Sequence, residues 1–127
     1  MTGIGQSMLE EGDAVNWQSL FRSNEHLMLQ WCHRAPGMIC SFKHDPPSGL
    51  TDLLVRGGNT IVSAGALKKG VSLCHGTDGN GFALLELYRR TQDHSWLAQA
   101  RFFAMWAIEQ SEDLFADSGQ WRYSLWT

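Results

Sequence analysis

Ser72-Leu73-Cys74-His75-Gly76-Thr77-Asp78-Gly79-Asn80-Gly81-Phe82-Ala83-Leu84-Leu85 is the stretch whose reading decides the fold. It sets two soft-metal ligands side by side, follows them with glycines at 76, 79 and 81, and runs on into an apolar segment. Adjacent residues project in different directions, so Cys74 and His75 can share one ion only on irregular backbone, which the glycines permit. From Phe82 to Tyr88 the chain is apolar apart from Glu86, the pattern of an inward-facing helix. The plain alternative is a buried cysteine and a hydrogen-bonded histidine ahead of a core helix.

An echo of this layout lies 42 positions upstream, in Trp31-Cys32-His33-Arg34-Ala35-Pro36-Gly37-Met38-Ile39. Again an apolar residue and a Cys-His pair precede a turn with Pro and Gly, and apolar residues follow. Two such units predict a repeated helix–turn arrangement that brings both turns to one end of the structure. The paired motifs, Trp-Cys-His-x-Ala-Pro-Gly and Leu-Cys-His-Gly-x-x-Gly-Asn-Gly, resemble the zinc-binding signature of the lanthionine synthetase C-like (LanC-like) family. The resemblance runs from about Asn16 to the end of the chain and covers the C-terminal part of the family's domain.

That resemblance implies an all-α fold, part of an α/α toroid in which helical hairpins with Gly-rich turns form an incomplete ring. Residues 16–127 are then a partial LanC-like domain and residues 1–15 a flexible N-terminus. It implies a zinc ion held by Cys32, Cys74 and His75. Three protein ligands leave the fourth tetrahedral position to water or substrate. A closed structural site completed by Cys40 or His33 is the alternative, although a C-x₇-C spacing is unusual for one. His33 is the candidate proton donor or acceptor, or else an ordinary turn histidine. In the family the ion binds a peptide cysteine or glutathione thiol as thiolate for addition to a dehydroamino acid, forming a thioether. Two departures stand out. Arg34 occupies a position where the family usually has Gly, which predicts a long cation at the rim of the turn. The family's further catalytic His and Asp lie upstream of the first zinc cysteine, where this chain has no room for them.

A chain of 127 residues suits one modest domain. Its 43% hydrophobic content is globular, and six Trp demand burial, so the Trp are read as core. A formal charge of −3 carries no basic field and argues against nucleic acid as a partner. No apolar run approaches a membrane span, and the first residues lack the regions of a signal peptide. Three Cys in no disulfide spacing are read as reduced thiols, which predicts a cytoplasmic protein.

In order along the chain, residues 1–15 show little periodicity and are expected to be a frayed start or a helix remnant, and residues 16–30 an ordered loop. Helices are expected over about 37–43, 50–67, 79–90 and from the Asp93 or Ser95 cap to about 110. Gly57-Gly58 should weaken or bend the second, and Lys68-Lys69-Gly70 close it. Trp96, Ala100, Phe103 and Ala107 form the buried face of the fourth. Ser111-Glu112-Asp113 reads as loop. Asp78 and Asn80 are expected to serve the turn's hydrogen bonds, Glu86 to pair with Arg89 or Arg90, and His26, His44 and His94 to be solvated. Ser124-Leu125-Trp126 has the look of Ser72-Leu73-Cys74, as though a further repeat were about to begin. An interrupted ring should leave Leu84, Phe103 and Trp106 without neighbours and favour association. Two functions follow: a zinc-dependent thioether-forming cyclase or a piece of one, completed by another chain, or a non-catalytic helical protein that binds zinc or a thiol.

Overall fold

The computed structural model describes residues 8–11, 14–17, 34–42, 44, 49–65, 71 and 76–121. Two strands, β1 (Met8–Glu11) and β2 (Ala14–Trp17), are followed by helices α1 (Ala35–Ser41), α2 (Leu50–Ala64), α3 (Thr77–Thr91) and α4 (His94–Ser118). The fold class is the all-α one that the sequence predicts, since the helices supply the core. The strands form an antiparallel hairpin in the register Met8↔Trp17 to Glu11↔Ala14, and β2 lies against α2. This hairpin replaces the frayed start and ordered loop expected there. Its signal is short but present: two four-residue strands separated by Gly12-Asp13, a residue pair suited to a two-residue hairpin connection.

Arg90 fixes the mutual direction of the first three helices. Its Nη1 donates to the Phe42 carbonyl at the C-terminal end of α1, 2.9 Å away, and its Nε donates to Thr51 Oγ1 in the first turn of α2, 2.9 Å away. The C-terminal ends of α1 and α3 therefore meet the N-terminal end of α2. Because α1 also packs along α3, the two run in the same direction with α2 reversed between them. The N-termini of α1 and α3 point to the same end, as the repeated helix–turn reading predicts.

A two-residue connection folds α4 back on α3. Gln92 takes a left-handed conformation (φ 58°), donating its N–H to the Tyr88 carbonyl and its Nε2 to the Arg89 carbonyl. Asp93 then caps α4 by accepting the Ser95 N–H at 2.9 Å. The four residues predicted to face inward from α4, Trp96, Ala100, Phe103 and Ala107, are all buried. The helix runs eight residues beyond the predicted end at 110, because Ser111-Glu112-Asp113 is a solvated helix face rather than a loop. No Gly or Pro interrupts it before Gly119, whose positive φ of 70° lets its N–H close on the Phe115 carbonyl at 2.7 Å. Helix α2 ends earlier than expected, at Ala64, and Lys68-Lys69-Gly70 lies outside the described residues.

Ala35, Ile39, Cys40, Leu54, Ile61, Ala83, Leu84, Leu87, Trp96, Ala100 and Phe103 make one contiguous core. Leu84 and Phe103, expected to lack neighbours, lie inside it, and Trp106 packs edge-on to Phe103. The apolar residues left outside are others: Phe102, Met105, Ile108 and Phe115 on α4, with Trp121 stacked on Phe115. Cys40 is a core thiol, and Trp96 is core as expected, whereas Trp121 is half exposed.

Gly58 is where α2 comes closest to α3 and α4. A Cβ there would collide with Leu87 Cδ1 and lie 2.8 Å from Trp96 Cη2, both on buried side chains. The glycine predicted to weaken the helix thus permits the packing that holds it. Gly58→Ala gains about 1 kcal/mol of helix propensity and loses about 1–3 kcal/mol to overpacking. The expected result is a lower Tm by thermal denaturation, whereas Asn59→Ala, one residue on and exposed, should leave Tm unchanged or raise it.

Candidate functional site

The predicted ligands Cys32, Cys74 and His75 and the predicted proton carrier His33 lie outside the described residues, as does His26. The residues that follow each pair are described. Arg34 is the N-cap of α1, with extended backbone, and Gly76 is the N-cap of α3, also extended. Neither helix start has a side-chain cap. Both Cys-His pairs are thus continuous with the starts of two helices that pack side by side in the same direction. His44 and His94 are exposed, as expected, with His94 tilted against Tyr88 at 5.3 Å between ring centroids.

The start of α3 is sunk into the structure. Gly76, Thr77, Gly79 and Asn80 are buried, and Gly81 approaches α4 so closely that a Cβ would sit 3.2 Å from Phe103 Cβ. The glycines after His75 therefore serve close helix–helix approach as well as the turn. Thr77 Oγ1 donates to Gln110 Oε1 at 2.6 Å, tying the first turn of α3 to α4.

Two polar side chains here depart from expectation. Arg34 is not at the rim of its turn: it is 2% exposed, and its Nη2 has no hydrogen-bond partner among the described residues. Asn80, expected to serve the turn's hydrogen bonds, is 1% exposed, and neither its Nδ2 nor its Oδ1 has a partner among them. Glu86 behaves as predicted, accepting from Arg89 Nη1 at 2.7 Å. No cluster of three potential metal ligands occurs among the described residues, which do not include the predicted set.

On the outer side of the same helix start a cleft of about 350 Å³ opens between α3 and α4, lined by Asp78, Ala104, Ile108, Glu112 and Trp121 among others. Partial burial there pushes the Asp78 carboxyl above its ordinary value. Among the described residues no helix is long and apolar enough to cross a membrane.

The lanthionine synthetase C-like protein family matches this chain over residues 6–124, so the chain belongs to that family. The match includes the β1–β2 hairpin, and the helical body is in keeping with a segment of the family's ring of helices. The chain is 38% identical over 86 residues to glutathione S-transferase LANCL1 of Danio rerio, covering 65% of this chain and 21% of that protein. It is 28% identical over 92 residues to LanC-like protein GCL1 of Arabidopsis thaliana, covering 68% of this chain and again 21% of that protein. The aligned part is thus about a fifth of the length of these relatives.

Asp78 yields a test of the helix start. A carboxyl raised by burial has its charged form disfavoured by folding, so it costs stability above its folded pKa and ceases to do so as pH falls through that value. Asp78→Asn should therefore raise Tm at pH 7 relative to wild type. The difference should shrink on acidification to about pH 4, below which the wild-type carboxyl is neutral as well.

Proposed function

We propose that this chain is a zinc-binding, thiol-activating part of a LanC-like protein, with Cys32, Cys74 and His75 as metal ligands. The observation that carries the reading is the pairing of helix starts. The residues directly after the two Cys-His pairs, Arg34 and Gly76, begin helices that run together, and the Arg90 bridge sets their direction. The donor set also fits the ion, since two thiolates and one imidazole are ordinary zinc ligands that leave one position open. Zinc, when bound, supplies a positive charge that favours thiolate over thiol at neutral pH.

What the chain itself contributes is position. The glycines at 76, 79 and 81 let the backbone carrying His75 turn into α3 with that helix pressed on α4. The thiol substrate, a cysteine peptide or glutathione, would then be held as thiolate with its proton released to solvent. Addition to the β-carbon of a dehydroamino acid forms the C–S bond and moves the alkene π electrons into an enolate. His33 is the residue placed in sequence to deliver the proton to the α-carbon.

Binding without turnover is the second reading, and the aligned span of about a fifth of each relative favours it. Ring closure needs the acceptor alkene held near the sulfur as well as a proton donor. On its own, or completed by another chain, the protein is read as acting in the cytoplasm.

Metal analysis separates this reading from a closed structural site. About one zinc per chain should copurify, be lost in Cys74→Ala, and be kept in Cys40→Ala, whose thiol belongs to the core. Equal loss in both variants would falsify the open site.

A second measurement addresses turnover. The zinc-loaded chain, incubated with a dehydrated test peptide, should give no thioether above the spontaneous rate when remaining thiols are alkylated and weighed by mass spectrometry. Product that depends on Cys74 and His33 would instead establish this chain as a catalyst by itself.

A further inference from the structure

Arg34 and Asn80 present a polar problem that the described structure does not solve internally. A buried polar group without a partner costs about 1–3 kcal/mol, more if charged. Here a guanidinium nitrogen and both atoms of a carboxamide are left in that state. The other polar side chains of these helices are matched: Arg89 to Glu86, Arg90 to Phe42 and Thr51, Thr77 to Gln110. The unmet groups are concentrated where the Cys-His pairs join the helices.

Helical rise places them at one level. Arg34 stands eight residues before Phe42, about 12 Å at about 1.5 Å per residue. Because Arg90 touches Phe42 and α3 runs alongside α1, the same distance back along α3 reaches about Phe82, half a turn from Asn80. The start of α3 adds backbone N–H groups with no side-chain cap in a buried setting. A buried cation, a carboxamide donor and an uncapped helix N-terminus together favour one kind of guest, an anion with oxygen acceptors.

We infer that Arg34, with Asn80 and the first turn of α3, receives the carboxylate of a carboxylate-bearing thiol whose sulfur is held by the adjacent Cys-His residues. The inference rests on the proposed thiol-binding function and specifies its ligand. It also gives Arg34 a purpose at a position where the family pattern has Gly: the larger residue brings a charge to the turn that a glycine lacks. An arginine fork can meet both oxygens of a carboxylate, and Asn80 Nδ2 can donate to the same group. Asn80 Oδ1 remains an acceptor for an amide N–H of a peptide-like ligand. A free thiol with no carboxylate would leave these groups as they are.

The test compares glutathione with its diethyl ester, in which both carboxylates are masked, by calorimetric titration of the zinc-loaded full chain. Wild type should bind glutathione at least about tenfold more tightly than the ester, the size of a charge-assisted hydrogen bond. Arg34→Gly, which installs the family's residue, should bind the two alike while keeping its zinc. Asn80→Asp, which sets a carboxylate beside the anion, should also weaken glutathione and spare the ester. Equal binding of acid and ester by wild type, or no glutathione binding at all, overturns the inference even if no variant folds. A preference that survives Arg34→Gly also overturns it. Loss of zinc from wild type speaks against the proposed function instead, because Arg34 and Asn80 are not metal ligands.

Discussion

The approach of α2 to α3 and α4 at Gly58 is the constraint on which the rest of the helical body depends. Leu87 and Trp96 occupy the space that any side chain at 58 would need. Leu87 is on α3 and Trp96 is in the first turn of α4, so a single missing Cβ lets three helices share one contact. The close approach also brings α2 within reach of Arg90, whose guanidinium holds the near ends of α1 and α2 together. Packing fixes the spacing and the hydrogen bonds fix the direction. Neither would hold alone, because an Arg bridge at the margin of a loose core would stay in water and contribute little.

With that frame set, the two polar side chains at the opposite end acquire meaning. A protein that matches Thr77 to Gln110 and Glu86 to Arg89 does not lack the means to satisfy polar groups. Leaving Arg34 and Asn80 unmatched beside two Cys-His pairs is a local exception, and local exceptions to polar matching concentrate where something else is bound. The cleft by Asp78 differs in kind. It is open to solvent, its Trp121 stacks on Phe115, and its carboxylates can keep water as their partner.

Much of the helical framework was legible from residues that repeat at helical steps. Trp96, Ala100, Phe103 and Ala107 identify the inward face of α4 because each step returns to the same side of the helix, and Asp93 identifies its cap. The end of α4 was not legible, since Ser111, Glu112 and Asp113 are equally at home in a loop and on a solvated helix face. Only the absence of Gly or Pro before Gly119 distinguishes the two. Gly58 was misjudged because propensity weighs a residue against its own helix and knows nothing of Leu87 and Trp96 across the gap. Arg34 and Asn80 were misplaced for a related reason: sequence shows that they adjoin the motif but not that they are buried. The motifs themselves, Cys32-His33 and Cys74-His75, were legible as a family signature, and the match over residues 6–124 confirms the family.

The Gln92-Asp93 connection has a bearing on the order in which these parts come together. Two residues join α3 to α4, so their contacts close a short loop at little entropic cost, and such local pairs are the natural first structure of a folding chain. Bringing the start of α1 beside the start of α3 requires closing a loop from Arg34 to Gly76, a later and costlier event. The α3–α4 hairpin is thus the template onto which the earlier part of the chain docks. On a ribosome that order is inverted in time: the first Cys-His pair emerges well before the surface it must meet. Cys32 therefore spends the interval as an unprotected thiol, dependent on a reducing environment until α3 and α4 have formed.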